Sequence, residues 1–575
     1  MMDIMAKYEL WCQRATEDAD VAAELASVAG NDAEIRDRFY RELAFGTGGL
    51  RGVIGAGSNR MNIYTVRKAT QGLANYLNAR YESSAVAVSF DSRIKSDVFA
   101  REAACVLAAA GITVHLFPQL EPTPVLSYAV RYYGTQAGIM VTASHNPAKY
   151  NGYKCYGPDG CQMTDADAGD VLGYINQVDL FEDVHTMPYD EAVAAGLIKL
   201  IGDELLESFT QQVLAQQVNP GVSAEAGLRL VYTPLNGTGN LPVREILRRV
   251  GIKEVSIVPE QELPDGNFPT APFPNPEIRQ AFECALKLTK SMDTPADLLL
   301  ATDPDCDRVG IAVWNGEDYT LMSGNEVGCL LLDYVVSCRK ANGTLPADPV
   351  VIKTIVTTNM AKSIANKYGC ELRDLLTGFK YIGEQIGVLE AEGRADRYVI
   401  GFEESYGYLA GSYVRDKDAV VASMLIVEMA SYYHKQGISL LQRMEQLYQE
   451  HGFYRNALVN VAFEGEQGMH DMDRLMSGLR ENPPAEIAGL KVLACADYGL
   501  RVATDLTTGD RTPLTLPKSN VLAYTLEGGA GLIIRPSGTE PKVKGYVTAI
   551  GETPEIAAAC EATLCVAAEA IMKNV

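Results

Sequence analysis

Four polar strings that follow apolar runs contain residues able to do chemistry. In VTASHNPAKYNGYK at 141–154, Ser144 follows the apolar run GIMV and directly precedes His145. A serine hydroxyl presented at the end of a strand can act as a nucleophile or carry a phosphoryl group. The tripeptide SHN alone would fit a capped turn better, so the longer string has to decide between the two interpretations.

A second string, ATDPDCDRVG at 301–310, follows the apolar run ADLLLA. Asp303, Asp305 and Asp307 alternate along it, and alternate side chains of an extended chain point the same way. Three carboxylates on one side repel one another unless a cation joins them, and oxygen ligands of this kind suit Mg²⁺. A calcium EF-hand would need Gly and Glu where Arg308 and Trp314 stand. A magnesium site is therefore favoured over a solvated acidic turn.

The third string, GFEESYGYLAG at 401–411, offers carboxylates and a hydroxyl between glycines. Glu403 and Ser405 could hydrogen-bond the hydroxyl groups of a sugar, although this string taken alone fits an exposed acidic turn better. Arg415 and Lys417 follow closely and add two cations.

The fourth string, RPSGTEPKVK at 535–544, combines basic side chains and two hydroxyls around a glycine. Arg535, Ser537, Thr539 and Lys544 surround a turn whose backbone N–H groups could converge on an anion. A plain hairpin is the alternative interpretation, and a phosphate cradle is favoured.

The elements that must position these strings follow a repeated pattern. An apolar strand, a polar loop, a helical pattern, a glycine and a second strand recur three times. The three first strands are AVAVSF at 85–90, LRLVYT at 228–233 and PVVIKTIV at 349–356, and the three glycines are Gly111, Gly251 and Gly369. Glycine easily adopts the left-handed conformation that ends a helix. The pattern predicts βαβ units and internal duplication.

The region after about 450 reads differently, with strands GLIIRP and KVKGYVTAI before a C-terminal helix. We therefore predict an α/β fold with three related mixed-sheet βαβ domains and a smaller α+β C-terminal domain around a central cleft. The predicted domains are 1–213, 214–321, 322–450 and 451–575. A Pro-rich string at 264–277, PDGNFPTAPFPNPE, cannot form regular structure.

Composition narrows the possible partners. The 575 residues carry a formal charge of −23, which argues against nucleic acid or an anionic membrane but permits a small anion bound by a few local cations. The 12 cysteines include no CxxC pair, which predicts reduced thiols. With no signal peptide or membrane-spanning run visible, we expect a soluble cytoplasmic protein.

Together, the strings resemble the α-D-phosphohexomutase family of phosphoglucomutases and phosphomannomutases, over nearly the whole chain. The matching strings are FGTGGLRG at 45–52, TASHNP at 142–147, DPDCDR at 303–308, GFEESYGY at 401–408 and RPSGTEP at 535–541. Each string alone is weak, whereas the ordered set is specific. Cys306 stands where the family more usually has a small residue, and the three carboxylates beside it are intact.

The resemblance implies a role for each string. Ser144 would carry the phosphoryl group and, with Asp303, Asp305 and Asp307, would bind one Mg²⁺. Arg51, His145 and Lys417 would line the reacting centre, with Lys417 or His145 moving protons. The implied substrate ligands are Arg308, Thr377, Gly378, Glu403, Ser405, Arg415, Arg535, Ser537, Gly538, Thr539 and Lys544.

The resemblance also implies a reaction, the interconversion of glucose 1-phosphate and glucose 6-phosphate through glucose 1,6-bisphosphate. EESYGY resembles the branch that includes bacterial glucose mutases and pentose-phosphate mutases, so a ribose or deoxyribose phosphate is the second choice and a mannose phosphate the third. A phosphatase and an inactive sugar-phosphate sensor are the alternatives from other classes. We expect a small sugar phosphate as the partner of a monomer or homodimer.

Overall fold

A computed structural model of the chain describes residues 3–46, 48–463, 467–537 and 542–574. The chain forms two compact units. The first contains residues 1–324, 379–401 and 405–437, and the second contains 325–378, 402–404 and 438–575.

Three helices open the first unit: α1 (Ile4–Arg14), α2 (Ala19–Ser27) and α3 (Asp32–Phe39). Their contacts with the following residues are aromatic. The Trp11 ring lies 5.7 Å from that of Phe39 and 5.5 Å from that of Tyr64, both in edge-to-face geometry. Such pairs add to the stabilisation from buried apolar area, so these helices belong to the core of the first sheet region.

The first sheet has six strands in the order β1-β5-β4-β2-β3-β6. Its elements are β1 (Gly49–Val53), α4 (Ile63–Arg80), β2 (Ala85–Phe90), α5 (Ser96–Ala109), β3 (Thr113–Leu116), α6 (Thr123–Tyr133), β4 (Ala137–Val141), β5 (Tyr150–Tyr156), α7 (Asp165–Ile175), α8 (Tyr189–Ala194), β6 (Ile198–Leu200) and α9 (Asp203–Leu214). Strand β2 pairs in parallel with β3 and β4, whereas β5 is antiparallel to β1 and β4. The sheet is therefore mixed.

The second sheet has five strands in the order β11-β10-β9-β7-β8. Its elements are α10 (Val222–Ala226), β7 (Arg229–Thr233), α11 (Asn240–Arg249), β8 (Glu254–Ile257), α12 (Pro259–Glu262), α13 (Glu283–Lys290), β9 (Leu298–Thr302), β10 (Val309–Trp314) and β11 (Tyr319–Met322). Strand β7 is parallel to β8 and β9, and β10 is antiparallel to β9 and β11. This sheet is also mixed, as predicted.

The third βαβ pattern lies in the second unit. Its elements are α14 (Gly324–Ala341), β12 (Val350–Thr354), α15 (Met360–Tyr368) and β13 (Glu371–Leu375), and β12 pairs in parallel with β13. The next elements along the chain are α16 (Phe379–Ala391), β14 (Tyr398–Glu403), β15 (Gly407–Ala410), α17 (Ala419–His434) and α18 (Leu440–His451). Three strand, helix, strand units therefore recur in order.

The C-terminal region contains an antiparallel sheet in the order β16-β23-β22-β21-β18-β19-β20, with β17 beside β18. Its elements are β16 (Phe453–Ala462), α19 (Gln467–Glu481), β17 (Glu486–Ile487), β18 (Leu490–Asp497), β19 (Val502–Asp505), β20 (Arg511–Pro513), β21 (Leu522–Leu526), β22 (Gly531–Pro536), β23 (Lys542–Gly551) and α20 (Pro554–Lys573). Long-range pairing joins the first and last strands, since β16 pairs with β23. This confirms an α+β region after about 450.

The glycines predicted to end helices do so. Gly111, Gly251 and Gly369 have φ of 77°, 87° and 74°, in the left-handed region. The Pro-rich string at 264–277 contains no helix or strand, also as predicted. Among the described residues, no helix is both long and apolar enough to cross a membrane.

Candidate active site

Ser144 lies three residues past β4, in a turn that fixes its backbone and aims its side chain. Its φ of 52° is in the left-handed region, which residues with a side chain seldom adopt. Its backbone N–H donates to the Thr142 hydroxyl at 2.8 Å. Its Oγ donates to Oδ2 of Asp303 at 2.9 Å and lies 3.1 Å from Nδ1 of His145. The buried hydroxyl therefore points at the aspartate loop.

The aspartate loop joins β9 to β10 and gathers three buried carboxylates. Each of Asp303, Asp305 and Asp307 offers an oxygen within 4.8 Å of the others. Backbone N–H groups of Asp307 and Arg308 donate to Oδ1 of Asp303 at 3.1 and 3.0 Å. Thr123 donates its hydroxyl to Oδ2 of Asp305 at 2.9 Å. The predicted alternation thus becomes a cluster with its oxygens facing one another.

Two carboxylate oxygens of this cluster are buried without a hydrogen bond, namely Oδ1 of Asp305 and Oδ1 of Asp307. A buried carboxylate oxygen is costly unless it is compensated. Burial and the charges of Asp305 and Asp307 raise the pKa of Asp303 well above its ordinary value. A divalent cation would relieve both conditions, and oxygen-only ligands suit a hard ion. The residues present therefore fit a metal site.

Two lysines flank the carboxylates. Nζ of Lys154, on β5, lies 2.9 Å from Asp305 and 3.5 Å from Asp307. Nζ of Lys417 lies 3.1 Å from Asp307 and 3.2 Å from Asp416. Burial alone would lower the pKa of Lys154, but the Asp305 and Asp307 carboxylates raise it above its ordinary value, so the ammonium stays charged.

Lys154 was not among the residues predicted from the sequence. It ends the string that begins at Val141, but a lysine on a strand carries no signal of its own. Its relevance comes from the antiparallel pairing of β5 with β4 and β1, which turns this side chain toward a loop far away in the sequence. The pattern of the string did not reveal that pairing.

His145 and two arginines complete the cationic side of the site. Burial, followed by the charges of Arg308 and Arg51, lowers the pKa of His145 well below its ordinary value. The imidazole is therefore neutral near pH 7 and able to accept a proton. Nη1 of Arg308 lies 2.6 Å from Oε1 of Glu277, and Arg51 is exposed on β1. The structure thus places His145 beside Ser144 Oγ, with Arg51 and Arg308 close enough for their charges to act on the imidazole.

Arg415 is not brought to this centre. Its side chain is fully buried, and its guanidinium contacts Glu390 at 2.5 Å and the carbonyls of Ser412 and Val414. These contacts occupy the terminal nitrogens of Arg415, which a substrate phosphate would need as donors. Ser405, predicted to bind sugar hydroxyls, is half-buried between β14 and β15.

In the second unit, two neighbouring glutamates lie at the end of β14. Oε2 of Glu404 accepts hydrogen bonds from the hydroxyls of Thr354 and Thr357, both at 3.2 Å. The side chain of Glu403 is buried. The Oγ1 atom of Thr377 is buried and makes no hydrogen bond, and Gly378 has a φ of 122°. An unsatisfied buried hydroxyl of this kind is suited to a ligand.

The predicted phosphate cradle is described only in part. Arg535 on β22 pairs in register with Lys544 on β23, and the N–H of Ser537 donates to the carbonyl of Lys542 at 2.8 Å. Gly538 and Thr539 lie outside the described residues. Burial and the charge of Glu404 raise the pKa of Tyr546 to about 12, and the charge of Arg535 opposes that rise. Tyr546 is a second polar residue that the sequence did not point to.

Family models match three successive stretches of this chain. They are described as phosphoglucomutase/phosphomannomutase, alpha/beta/alpha domains I, II and III, and they match residues 42–180, 207–316 and 323–451. Together these stretches cover more than half of the chain.

Curated relatives match over a longer range. A phosphoglucomutase of Staphylococcus aureus (strain USA300) is 37% identical over 544 residues, covering 94% of this chain and 95% of the relative. A phosphoglucomutase of Staphylococcus saprophyticus is 37% identical over 512 residues, covering 88% and 90%.

Solved structures share the fold. A putative phosphomannomutase from Thermus thermophilus aligns with a TM-score of 0.68 at 22% identity, covering 93% of this chain and 100% of that one. The Paramecium phosphoprotein pp63/parafusin, a phosphoglucomutase, aligns at 0.70 with 17% identity, covering 93% and 95%. At these identities the likeness concerns the fold.

Proposed function

The chain belongs to the phosphoglucomutase/phosphomannomutase family, and we propose that it interconverts glucose 1-phosphate and glucose 6-phosphate through a phosphorylated Ser144. The observation that carries the proposal is the 2.9 Å contact between the Ser144 hydroxyl and Asp303, inside a cluster of three carboxylates flanked by lysines. The 37% identity to a phosphoglucomutase over 94% of the chain supports the choice of glucose.

Asp303, Asp305 and Asp307, with an oxygen on Ser144, would hold one Mg²⁺. When bound, the ion would neutralise charge that develops on the transferring phosphoryl group. The buried oxygens of Asp305 and Asp307 that lack hydrogen bonds support this assignment.

The chain's own residues position the transfer. Phosphoryl transfer depends mainly on in-line positioning and charge neutralisation. In the forward half, the bond between phosphorus and Ser144 Oγ breaks as a sugar hydroxyl bonds to phosphorus, and the hydroxyl proton passes to a base. His145 is held neutral beside Ser144 Oγ, and Nζ of Lys417 lies 3.1 Å from Asp307, so these two residues are the candidates for moving the proton. The resulting glucose 1,6-bisphosphate then returns its other phosphoryl group to Ser144.

The remaining predicted residues would bind the substrate. We assign the sugar hydroxyls to Glu403 and Ser405, and we assign Thr377 and Gly378 to a second loop that contacts the substrate. The non-reacting phosphate is assigned to the string at 535–544. That string supplies Arg535, Ser537, Gly538, Thr539 and Lys544. The domain boundaries predicted near 213, 321 and 450 give each of four regions one functional loop.

Turnover of alternative sugar phosphates tests the proposal. Purified protein with Mg²⁺ and catalytic glucose 1,6-bisphosphate is offered glucose 1-phosphate, ribose 1-phosphate or mannose 1-phosphate, and product formation is measured. We expect glucose 1-phosphate to react fastest. Faster turnover of ribose 1-phosphate would make the chain a pentose-phosphate mutase, and release of inorganic phosphate without an isomerised sugar phosphate would make it a phosphatase.

Ser144→Ala tests the nucleophile. The variant loses the side-chain oxygen that would carry the phosphoryl group, so we expect turnover to fall by at least about 10⁴-fold and the phosphoryl group to disappear from the intact mass. Ser423→Ala is the matched control, because Ser423 is another buried serine, on α17, whose hydroxyl makes no hydrogen bond. A Ser144→Ala protein with the control's rate would refute the assignment.

A further inference from the structure

The loop that carries Ser144 is held by one buried guanidinium, that of Arg93. Nη2 of Arg93 donates to the carbonyls of Ser144 and Asn146, and Nη1 donates to those of Pro147 and Tyr150, both at 3.1 Å. The planar fork of arginine thus donates its four terminal N–H groups to four carbonyls of the segment 144–150, which runs from the Ser144 turn to the start of β5. No atom of this arrangement belongs to the residues assigned to the reaction, apart from the Ser144 carbonyl.

The same short segment also holds the other side of Ser144. Nε of Arg93 lies 3.3 Å from Oδ2 of Asp91, and that carboxylate accepts a hydrogen bond from the Thr142 hydroxyl at 2.6 Å. The Thr142 hydroxyl in turn accepts the N–H of Ser144 at 2.8 Å. Both peptide groups that flank the left-handed backbone of Ser144 are therefore tied to residues 91–93, and a strained conformation persists only when its surroundings fix it.

The Pro-rich loop at 264–277 covers this guanidinium. Arg93 lies over the ring of Phe268, with Cζ 5.1 Å from the ring centroid, and Phe268 is buried with a φ of 47°. Gly266 packs so closely that an added Cβ would lie 2.5 Å from the backbone nitrogen of Ile94. An aromatic face attracts a guanidinium and limits its orientations. The loop is thus placed to lock Arg93 in one plane.

We propose that Arg93 is a positioning residue for Ser144, and that Phe268 holds Arg93 in the plane in which its fork reaches the four carbonyls. The inference rests on the proposed function, because positioning has meaning only if Ser144 carries the transferred group. It gives the Pro-rich loop a role in phosphoryl transfer although none of its residues 264–276 is assigned to substrate or metal. Loss of either side chain loosens the turn and misdirects Ser144 Oγ.

Three variants test the inference. Phe268→Leu removes the ring face, Arg93→Lys keeps the charge but lacks the fork, and Phe282→Leu is the matched control, because Phe282 is another buried phenylalanine of the same sheet region. The measurements are hydrogen exchange of residues 142–151, kcat and KM for glucose 1-phosphate, and Tm. We expect Phe268→Leu and Arg93→Lys to lower kcat by about 10- to 100-fold with KM changed by less than about twofold. Exchange in 142–151 should rise in these two variants.

The control Phe282→Leu should lower Tm without lowering kcat and without raising hydrogen exchange in 142–151. General loss of stability is thereby separated from loss of positioning. If Arg93→Lys does not fold, the comparison of Phe268→Leu with Phe282→Leu still tests the positioning role. Unchanged kcat in Phe268→Leu, or an equal fall in the control, would overturn the positioning role. A wild-type protein that interconverts no sugar phosphate would instead contradict the proposed function.

Discussion

At the scale of single residues, the charge of Lys154 decides whether the buried carboxyl of Asp305 is ionised. The pKa of Asp305 is held below its ordinary value: burial opposes ionisation, but Lys154 outweighs it. A charge-assisted contact at 2.9 Å in a buried setting is strong because little water screens it. Lys154 therefore keeps the Asp305 carboxylate anionic. Under the proposed function, it also adds a positive charge near the phosphoryl group that Ser144 would carry.

Lys154→Met tests this role. The substitution keeps the length of the side chain but removes the charge, so we expect kcat to fall by about 100-fold at saturating Mg²⁺, because one fixed cation is lost from the transition state. Lys149→Met is the matched control, since Lys149 is an exposed lysine in the loop just before β5. Steady-state rates of both variants are the measurement, and equal rates would remove Lys154 from the mechanism.

At the scale of elements, local patterns predicted what local forces decide. The helix that precedes Gly369 was predicted from the third repeat of the pattern and is observed as α15, because apolar periodicity and the left-handed cap are properties of a short segment. The aspartate cluster was predictable for the same reason, since its three carboxylates alternate within five residues.

The features that we could not predict from the sequence depend on contacts between residues that are far apart in the chain. Lys154 reaches Asp305 only because β5 pairs antiparallel with β4 and β1. The enclosure of Arg415, in the loop between β15 and α17, depends on Glu390, which lies on α16. The Pro-rich string was recognised as irregular, but its contact with Arg93 requires two sheet regions to be in place. Such contacts cannot be predicted from the spacing of residues along the chain.

Close helix packing provides a test at this scale. At Gly72 on α4, an added Cβ would lie 2.4 Å from Cγ1 and 2.7 Å from Cα of Ile175, at the end of α7. We expect Gly72→Ala to lower the free energy of unfolding of this region by about 1–3 kcal/mol, because the helices must separate. Gly169→Ala on α7 is the control. Gly169 is exposed with nothing within 4 Å, and alanine there should be neutral or slightly stabilising.

Urea unfolding followed by circular dichroism measures both glycine variants. Equal midpoints for Gly72→Ala and Gly169→Ala would show that α4 and α7 adjust without cost, contrary to the close packing of these two helices.

At the scale of the whole molecule, the net charge of −23 is the background for a small cationic centre. Four cationic side chains lie around the three carboxylates: Lys154, Lys417, Arg308 and Arg51. An anion that enters this centre therefore meets local positive charge, although the net charge of the chain is negative. The same net charge complicates any measurement of metal binding, because divalent ions also screen an acidic surface nonspecifically. A test of the metal site has to separate these two effects.

Metal removal and return, followed by thermal unfolding, makes that separation. An ion that binds only the native state stabilises it by RT ln(1 + [L]/Kd), which is about 2.7 kcal/mol at 100 times Kd. We therefore expect Tm of the chelator-treated protein to rise with Mg²⁺ and activity to return in parallel. NaCl at equal ionic strength should produce neither effect, because screening does not satisfy the buried oxygens of Asp305 and Asp307.

Asp305→Asn should lose most of the Mg²⁺-dependent rise in Tm. Asp318→Asn should keep that rise, because Asp318 is a half-exposed carboxylate paired with Arg279. A rise that survives in Asp305→Asn would place the ion elsewhere on the acidic surface.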